Sequence, residues 1–321
     1  MTFTVIIPVI AQLLLPLALV AWVAFGRHPY RARWWLLIAI AWTWIAAIGV
    51  AGLWLALPWY LYLVHAGLLA AAIIATWRRE VPLPLLPQSV SGRVGAALLV
   101  VLLAGAGALV AYAIDGRRGP DAGAEAAFPL REGTYLVVNG GRNALISAHV
   151  RTLGSEPRFR AWRGQSHGVD IVKLGRGGLR ARGVLPRDPG RYAIFGDPVH
   201  APCNGSVVAA VDGIADQPVP EMNRAQMAGN HVILDCNGIW LLMGHLRRGS
   251  VRVRVGDAIE SGHVVGEVGN SGNSSEPHLH IHAQKPGTLA EPLSGEPIPL
   301  RFDGRYLARN HRISRMDGRA R

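Results

Sequence analysis

GNSGNSSEPHLHIHAQ, residues 269–284, runs from a Gly/Asn/Ser loop through Pro277 into His278, His280 and His282, which alternate with Leu279 and Ile281. On a β-strand, residues two apart point to the same face. The three imidazoles therefore line one face, while Leu279 and Ile281 enter a core. A neutral imidazole nitrogen is a donor suited to zinc at about 2.0–2.1 Å. A His-x-His pair alone carries little information, since packed or surface histidines are commoner; the preceding loop makes this one specific.

Two further stretches supply partners. GQSHGVDIVKL, residues 164–174, places His167 and Asp170 close together. LLMGHLRRGSVRVRVGDAI, residues 241–259, sets His245 between an apolar run and a turn. Each taken singly reads as a surface or turn residue; together they offer nitrogen and carboxylate donors. Around them, runs at 134–138, 206–211, 230–234, 239–243 and 263–268 are short, β-branched or apolar, and are separated by Gly, Asn, Asp and Pro. That pattern predicts an all-β antiparallel domain. Asn-Gly steps at 139–140, 204–205 and 237–238 are hairpin signals, because both central turn residues need positive φ.

VHAPCNGSVVAAVDG (199–213), GNHVILDCNGIWLLMGHL (229–246) and GSVRVRVGDAIESGHVVGEVGNSGNSSEPHLHIH (249–282) together resemble the lysostaphin/LytM-type zinc metallopeptidase domain. The resemblance covers about residues 130–300. It implies a LytM-like fold (the duplicated hybrid motif), a Zn²⁺ cofactor and hydrolysis of peptide cross-links in bacterial peptidoglycan. By position it makes Asp170 the carboxylate ligand and His280 the C-terminal ligand. His278 and His245 become the non-ligand catalytic histidines beside the metal. The family places its first histidine four residues before the aspartate, where this chain has Ser166. His167 stands three before, and on a regular strand an odd offset faces away. A bulge could restore its direction, so His167 is taken as the third ligand. His149, in LISAHV (145–150), is the rival, and a site lacking a ligand is the third alternative. The last of these would make the domain a catalytically inactive module that binds cell wall or activates another hydrolase. His282 stands where relatives would carry a carboxylate or amide, either orienting a ligand or merely exposed. His200, His231 and His263 are read as structural.

The N-terminal third has a different composition. The 321-residue chain is 50% hydrophobic and only 17% charged, with formal net charge +12 and mean hydropathy +0.23. Such values exclude a disordered chain, and the apolar residues concentrate before about residue 114. Four runs, at about 3–25, 34–57, 59–77 and 94–114, approach the roughly 20 residues that cross a bilayer. The first lacks a basic start and a small-residue cleavage site, and is read as a retained helix rather than a signal peptide. Arg27, Arg31 and Arg33 occupy the first loop, and Arg78, Arg79 and Arg93 the third. Positive loops stay in the cytoplasm, which puts both termini and everything after Tyr112 outside. The expected location is a bacterial inner (cytoplasmic) membrane, with the chain anchored in the lipid bilayer by four helices. His65 is read as a neutral histidine facing its neighbours.

The expected organisation is a transmembrane region over 1–114, a flexible Gly/Ala-rich linker over 115–127, the β domain over 128–300 and a basic, frayed tail over 301–321. No nucleic-acid partner is expected, since no known nucleic-acid module appears. Cys203 and Cys236 each precede an Asn-Gly step in the exported part, where oxidising conditions permit a disulfide. A bond between them is expected, with two separately buried thiols as the alternative.

Overall fold

The computed structural model describes residues 2–120, 122–316 and 319–320. Asp121 of the expected linker, and Asp317, Gly318 and Arg321 of the expected tail, lie outside the described residues. The chain forms two compact units, 1–114 and 115–321.

The first unit is helical. It comprises α1 (Thr2–Val9), a π-helical turn (Ile10–Leu14), α2 (Leu15–Phe25), α3 (Arg31–Ala51), α4 (Leu61–Glu80) and α5 (Val90–Gly116). Four helical stretches are long and apolar enough to cross a membrane: Ile6–Phe25, Arg31–Ala51, Leu61–Glu80 and Val90–Gly116. On α3 the buried residues Trp34, Leu37, Ile38, Ala41, Ile45 and Ile48 recur at helical spacing. All of these but Ile48 pack with Leu19 and Val23 of α2 and Leu69 and Ala72 of α4. The second span is shorter than its apolar run suggested: α3 stops at Ala51, capped by Gly52, whose N–H donates to Ile48 O at 2.9 Å. His65 is fully buried, its Nε2 3.0 Å from the carbonyl oxygen of Gln12.

The second unit is built on strands, with short 3₁₀ turns between them. In chain order the strands are β1 (Ala124–Ala126), β2 (Gly133–Asn139), β3 (Val169–Leu174), β4 (Pro198–His200), β5 (Gly205–Val211), β6 (Asn230–Asp235), β7 (Trp240–Leu246) and β8 (Ala258–Ile259). There follow β9 (Val264–Glu267), β10 (Leu279–Gln284), β11 (Pro297–Ile298), β12 (Leu300–Phe302), β13 (Arg305–Tyr306), β14 (Arg312–Met316) and β15 (Arg319–Ala320). The main sheet has the order β15-β14-β2-β3-β10-β7-β6-β5-β8, with β11 also on β10. Its pairings are antiparallel. β4 pairs with β9, and β1 runs parallel to β12, which pairs with β13.

Strand alternation sets the core. Leu279, Ile281 and Ala283 of β10 join Val169 and Ile171 of β3 and Leu241 and Met243 of β7 in one buried cluster. The opposite face of β10 is buried as well. The 3₁₀ segment Pro157–His167 lies over it, with Gly164 against Gln284: a Cβ on Gly164 would come within 1.7 Å of Gln284 Oε1. Only a residue without a side chain permits that approach.

Three sequence expectations are corrected here. Of the Asn-Gly steps, Asn237-Gly238 turns β6 into β7 with φ of 58° and 82°. Asn139-Gly140 instead ends β2 at a register shift between Val137 and Asn139. Part of the expected linker is ordered: Ala124–Ala126 hydrogen-bond to β12, and Ala124 and Ala126 are buried. The expected frayed tail is also folded. Phe302, Leu307 and Ile313 enter the core and β14 pairs with β2, because these apolar residues between the arginines have sheet to cover. Cys203 and Cys236, 33 residues apart, are disulfide-bonded with Cα atoms 6.2 Å apart.

Candidate metal centre

Register brings the donors together. β10 lies between β3 and β7, and His280 stands opposite Asp170 on one side and Gly244 on the other. His280 Nδ1 is 2.8 Å from Asp170 Oδ1. The third donor comes from outside the sheet. His149 lies in the 3₁₀ turn Ala148–Leu153 and places Nε2 3.0 Å from Asp170 Oδ2. His149, Asp170 and His280 each offer one atom, all within 4.8 Å of one another. Donors on one tetrahedral zinc stand roughly 3–3.5 Å apart, given bonds of about 2.0–2.2 Å.

His167, expected as the third ligand, is not in this group. It ends the 3₁₀ segment rather than sitting on a bulged strand, and its buried Nδ1 has no hydrogen-bond partner. No bulge reverses its odd offset from Asp170: the register shift of this sheet edge lies in β2. Ser166, at the family's histidine position, is buried and bonds Thr152 Oγ1 at 2.7 Å. Nothing local in the sequence ties His149 to Asp170, 21 residues away.

The hydrogen bonds set the ring tautomers. Gln284 Nε2 donates to Pro292 O at 3.1 Å, which leaves Oε1 to accept from His282 Nε2–H, also at 3.1 Å. Neutral His282 then has a lone pair on Nδ1, and His280 Nε2–H donates to it at 2.9 Å. His280 Nδ1 therefore presents a lone pair to the Asp170 carboxylate. Two electron-rich atoms at that spacing need a shared cation or a proton. Burial holds His280 below its ordinary pKa despite Asp170, and disfavours the proton. Burial alone would raise Asp170, yet the neighbouring His149 and His278 hold it well below the usual carboxylate range. A carboxylate and two imidazoles form a donor set that fits Zn²⁺. His282, whose exposure the sequence left open, is fully buried in this ladder, and burial holds it neutral.

His245 and His278 stand beside the donors. Their ring centroids are 4.7 Å apart, and His245 is 5.8 Å from His280. His278 Nε2 is 3.6 Å from Asp170 Oδ1. Each ring is anchored through Nδ1: His245 donates to Ser271 O at 2.9 Å and His278 to Glu276 O at 2.8 Å. In the neutral form of each ring Nε2 is then the acceptor. Burial, then the neighbouring His278 and His280, hold His245 well below its ordinary pKa, as a neutral base. It takes left-handed backbone (φ 61°) at the end of β7, a conformation unusual for a non-glycine residue and recurrent at functional sites. His200 and His231 bond backbone carbonyls.

These groups open into a cavity of about 370 Å³, walled by Phe159, Trp162, Met222, Met227 and Leu293 with Arg151 among its lining residues. A cavity of about 630 Å³ in the helical unit, beside Trp22, Tyr30 and Arg33, contains no comparable donor set.

Residues 192–292 match the model of Peptidase family M23. The match falls on the stretch whose motifs resemble the lysostaphin/LytM type. Endolysin 2638A of Staphylococcus phage 2638A is 30% identical over 152 residues, which is 47% of this chain and 27% of the endolysin. The chain thus matches little more than a quarter of that relative's length. Among solved structures, the catalytic domain of the antimicrobial peptidase lysostaphin from Staphylococcus simulans aligns with 39% of this chain and 74% of its own. Identity there is 22% and the TM-score 0.26. A zinc containing peptidase from Vibrio cholerae aligns with 36% of this chain and 46% of its own, at 18% identity and a TM-score of 0.23.

Proposed function

From a chain that carries a peptidase family M23 domain, we propose a membrane-anchored zinc metalloendopeptidase that hydrolyses peptide bonds in peptidoglycan. The observation that carries this reading is the His149–Asp170–His280 grouping, with the lone pair of His280 Nδ1 turned to an ionised carboxylate. These three residues would hold Zn²⁺, which supplies Lewis acidity to polarise water and the scissile carbonyl.

The remaining chemistry belongs to the two acceptor imidazoles. A water attacking the peptide carbonyl carbon loses its proton to one of the Nε2 atoms of His245 and His278. The C–N bond then breaks, and a proton passes from imidazolium to the departing amine nitrogen. The products are a carboxylate and an amine. Their Nδ1 bonds to backbone carbonyls hold both rings in the tautomer this requires. Phe159, Trp162, Met222, Met227 and Leu293 give the cavity an apolar wall beside these rings.

The proposed membrane is the bacterial inner membrane. Arg27, Arg31, Arg33, Arg78, Arg79 and Arg93 stay in the cytoplasm, and the unit that begins at Asp115 faces the wall. The reading of this domain as an inactive module drew on the histidine missing at Ser166. His149 supplies a donor in its stead, which favours the enzyme.

Full-length protein in detergent micelles, given purified peptidoglycan, is expected to release new amino groups. Chelation should stop the release and added zinc restore it. Release that persists under exhaustive chelation would remove the metallopeptidase reading.

A further inference from the structure

Asn139 stands directly opposite Asp170 in the β2–β3 pairing because the register shifts past Val138. Without that shift the two side chains would fall on opposite faces. Asn139 Nδ2 donates to Asp170 Oδ2 at 2.9 Å, the oxygen that also faces His149 Nε2. Asn139 Oδ1 accepts from the backbone N–H of Ala148, the residue before His149, at 3.3 Å. One amide therefore touches the carboxylate donor and the turn that carries an imidazole donor.

The same Oδ1 accepts from Arg309 Nη2 at 2.9 Å. Arg309 is only 7% exposed and also donates through Nε to Val138 O at 2.8 Å and through Nη1 to Leu145 O at 3.1 Å. Its guanidinium thus clamps the irregular end of β2 to the segment leading to His149. Reversing the Asn139 amide would set an oxygen against the carboxylate and an NH₂ against the guanidinium, so its orientation is determined by these neighbours. Asn139 and Arg309 both lie outside the 192–292 family match. Arg309 belongs to the C-terminal segment that docks on β2 through Asn310 N–H to Val137 O at 2.9 Å.

We propose that Asn139 and Arg309 are positioning residues of the metal centre, a two-step chain that holds Asp170 and the His149 turn in ligating geometry and makes the C-terminal segment part of the site. This rests on the metal reading above. Partners beyond the ligands of this kind are worth roughly 10–100-fold in metal affinity.

The test is zinc affinity of the full-length chain in detergent, by competition with a chromophoric chelator. N139A and R309K should each weaken binding within that roughly 10–100-fold range. The double variant should bind about as N139A does, since both act through one chain. R309K keeps the positive charge, so its loss reports the clamp rather than the charge. Should N139A fail to fold by circular dichroism, R309K decides. Wild-type affinity in these variants, or losses that multiply independently, overturns the inference while leaving the metal centre intact. A wild-type chain that binds no zinc overturns both.

Discussion

Replacing His149 by alanine is expected to abolish zinc binding and peptidoglycan hydrolysis, while His167→Ala leaves both near the wild-type level. Only three protein donors converge among the described residues, His149, Asp170 and His280. A tetrahedral catalytic zinc needs three protein ligands and an open position. Loss of one donor must therefore cost more than the roughly 10–100-fold of an outer partner. His280→Ala should behave as His149→Ala does. Metal content and amine release, measured on the same preparations, separate the two histidines. Hydrolysis that survives His149→Ala and fails in His167→Ala would reverse the assignment and require a rearranged 3₁₀ segment at Pro157–His167.

A different signature is expected at the other two histidines. His245→Ala and His278→Ala should each lower kcat by about 10²–10⁴-fold, the usual worth of general acid–base help, with zinc still bound. Neither ring has to ligate: their Nδ1 atoms are committed to Ser271 O and Glu276 O, and their Nε2 atoms are acceptors at the edge of the donor set. The double variant should fall well short of the product of the single losses, because the two rings serve one proton cycle. Loss of zinc on replacing either ring would move that residue into the ligand set. Unchanged kcat would remove it from the chemistry.

Much of this arrangement is legible in the residues themselves. Alternation along 278–282 predicts a strand with its histidines on one face; β10 carries His280 and His282, and His278 immediately precedes it. The runs 134–138, 206–211, 230–234, 239–243 and 263–268 fall on β2, β5, β6, β7 and β9. Four helices long and apolar enough for a bilayer occupy the regions where hydropathy predicts them. Periodicity reports on faces of one element, so it is blind to approaches between elements. His149 reaches Asp170 from a 3₁₀ turn, and the only sequence signal for it is negative, the wrong parity of His167. The role of Asn139 is hidden for a related reason. An Asn-Gly step reads as a hairpin, whereas here the asparagine side chain is used by Asp170, Ala148 and Arg309. The C-terminal segment misleads through its arginines, which mask Phe302, Leu307 and Ile313. His282 shows a further limit. Strand alternation places it beside His280, but only the covering 3₁₀ segment makes it a buried link between His280 and Gln284.

The zinc content of the full-length protein, purified in detergent at neutral pH with zinc supplied, addresses the centre of this account. One zinc per chain is expected, lost when Asp170 is replaced by alanine in a protein that still folds. A folded wild-type chain that takes up no zinc, or an Asp170→Ala variant that holds it as tightly, would contradict the metal centre on which the proposed hydrolysis stands.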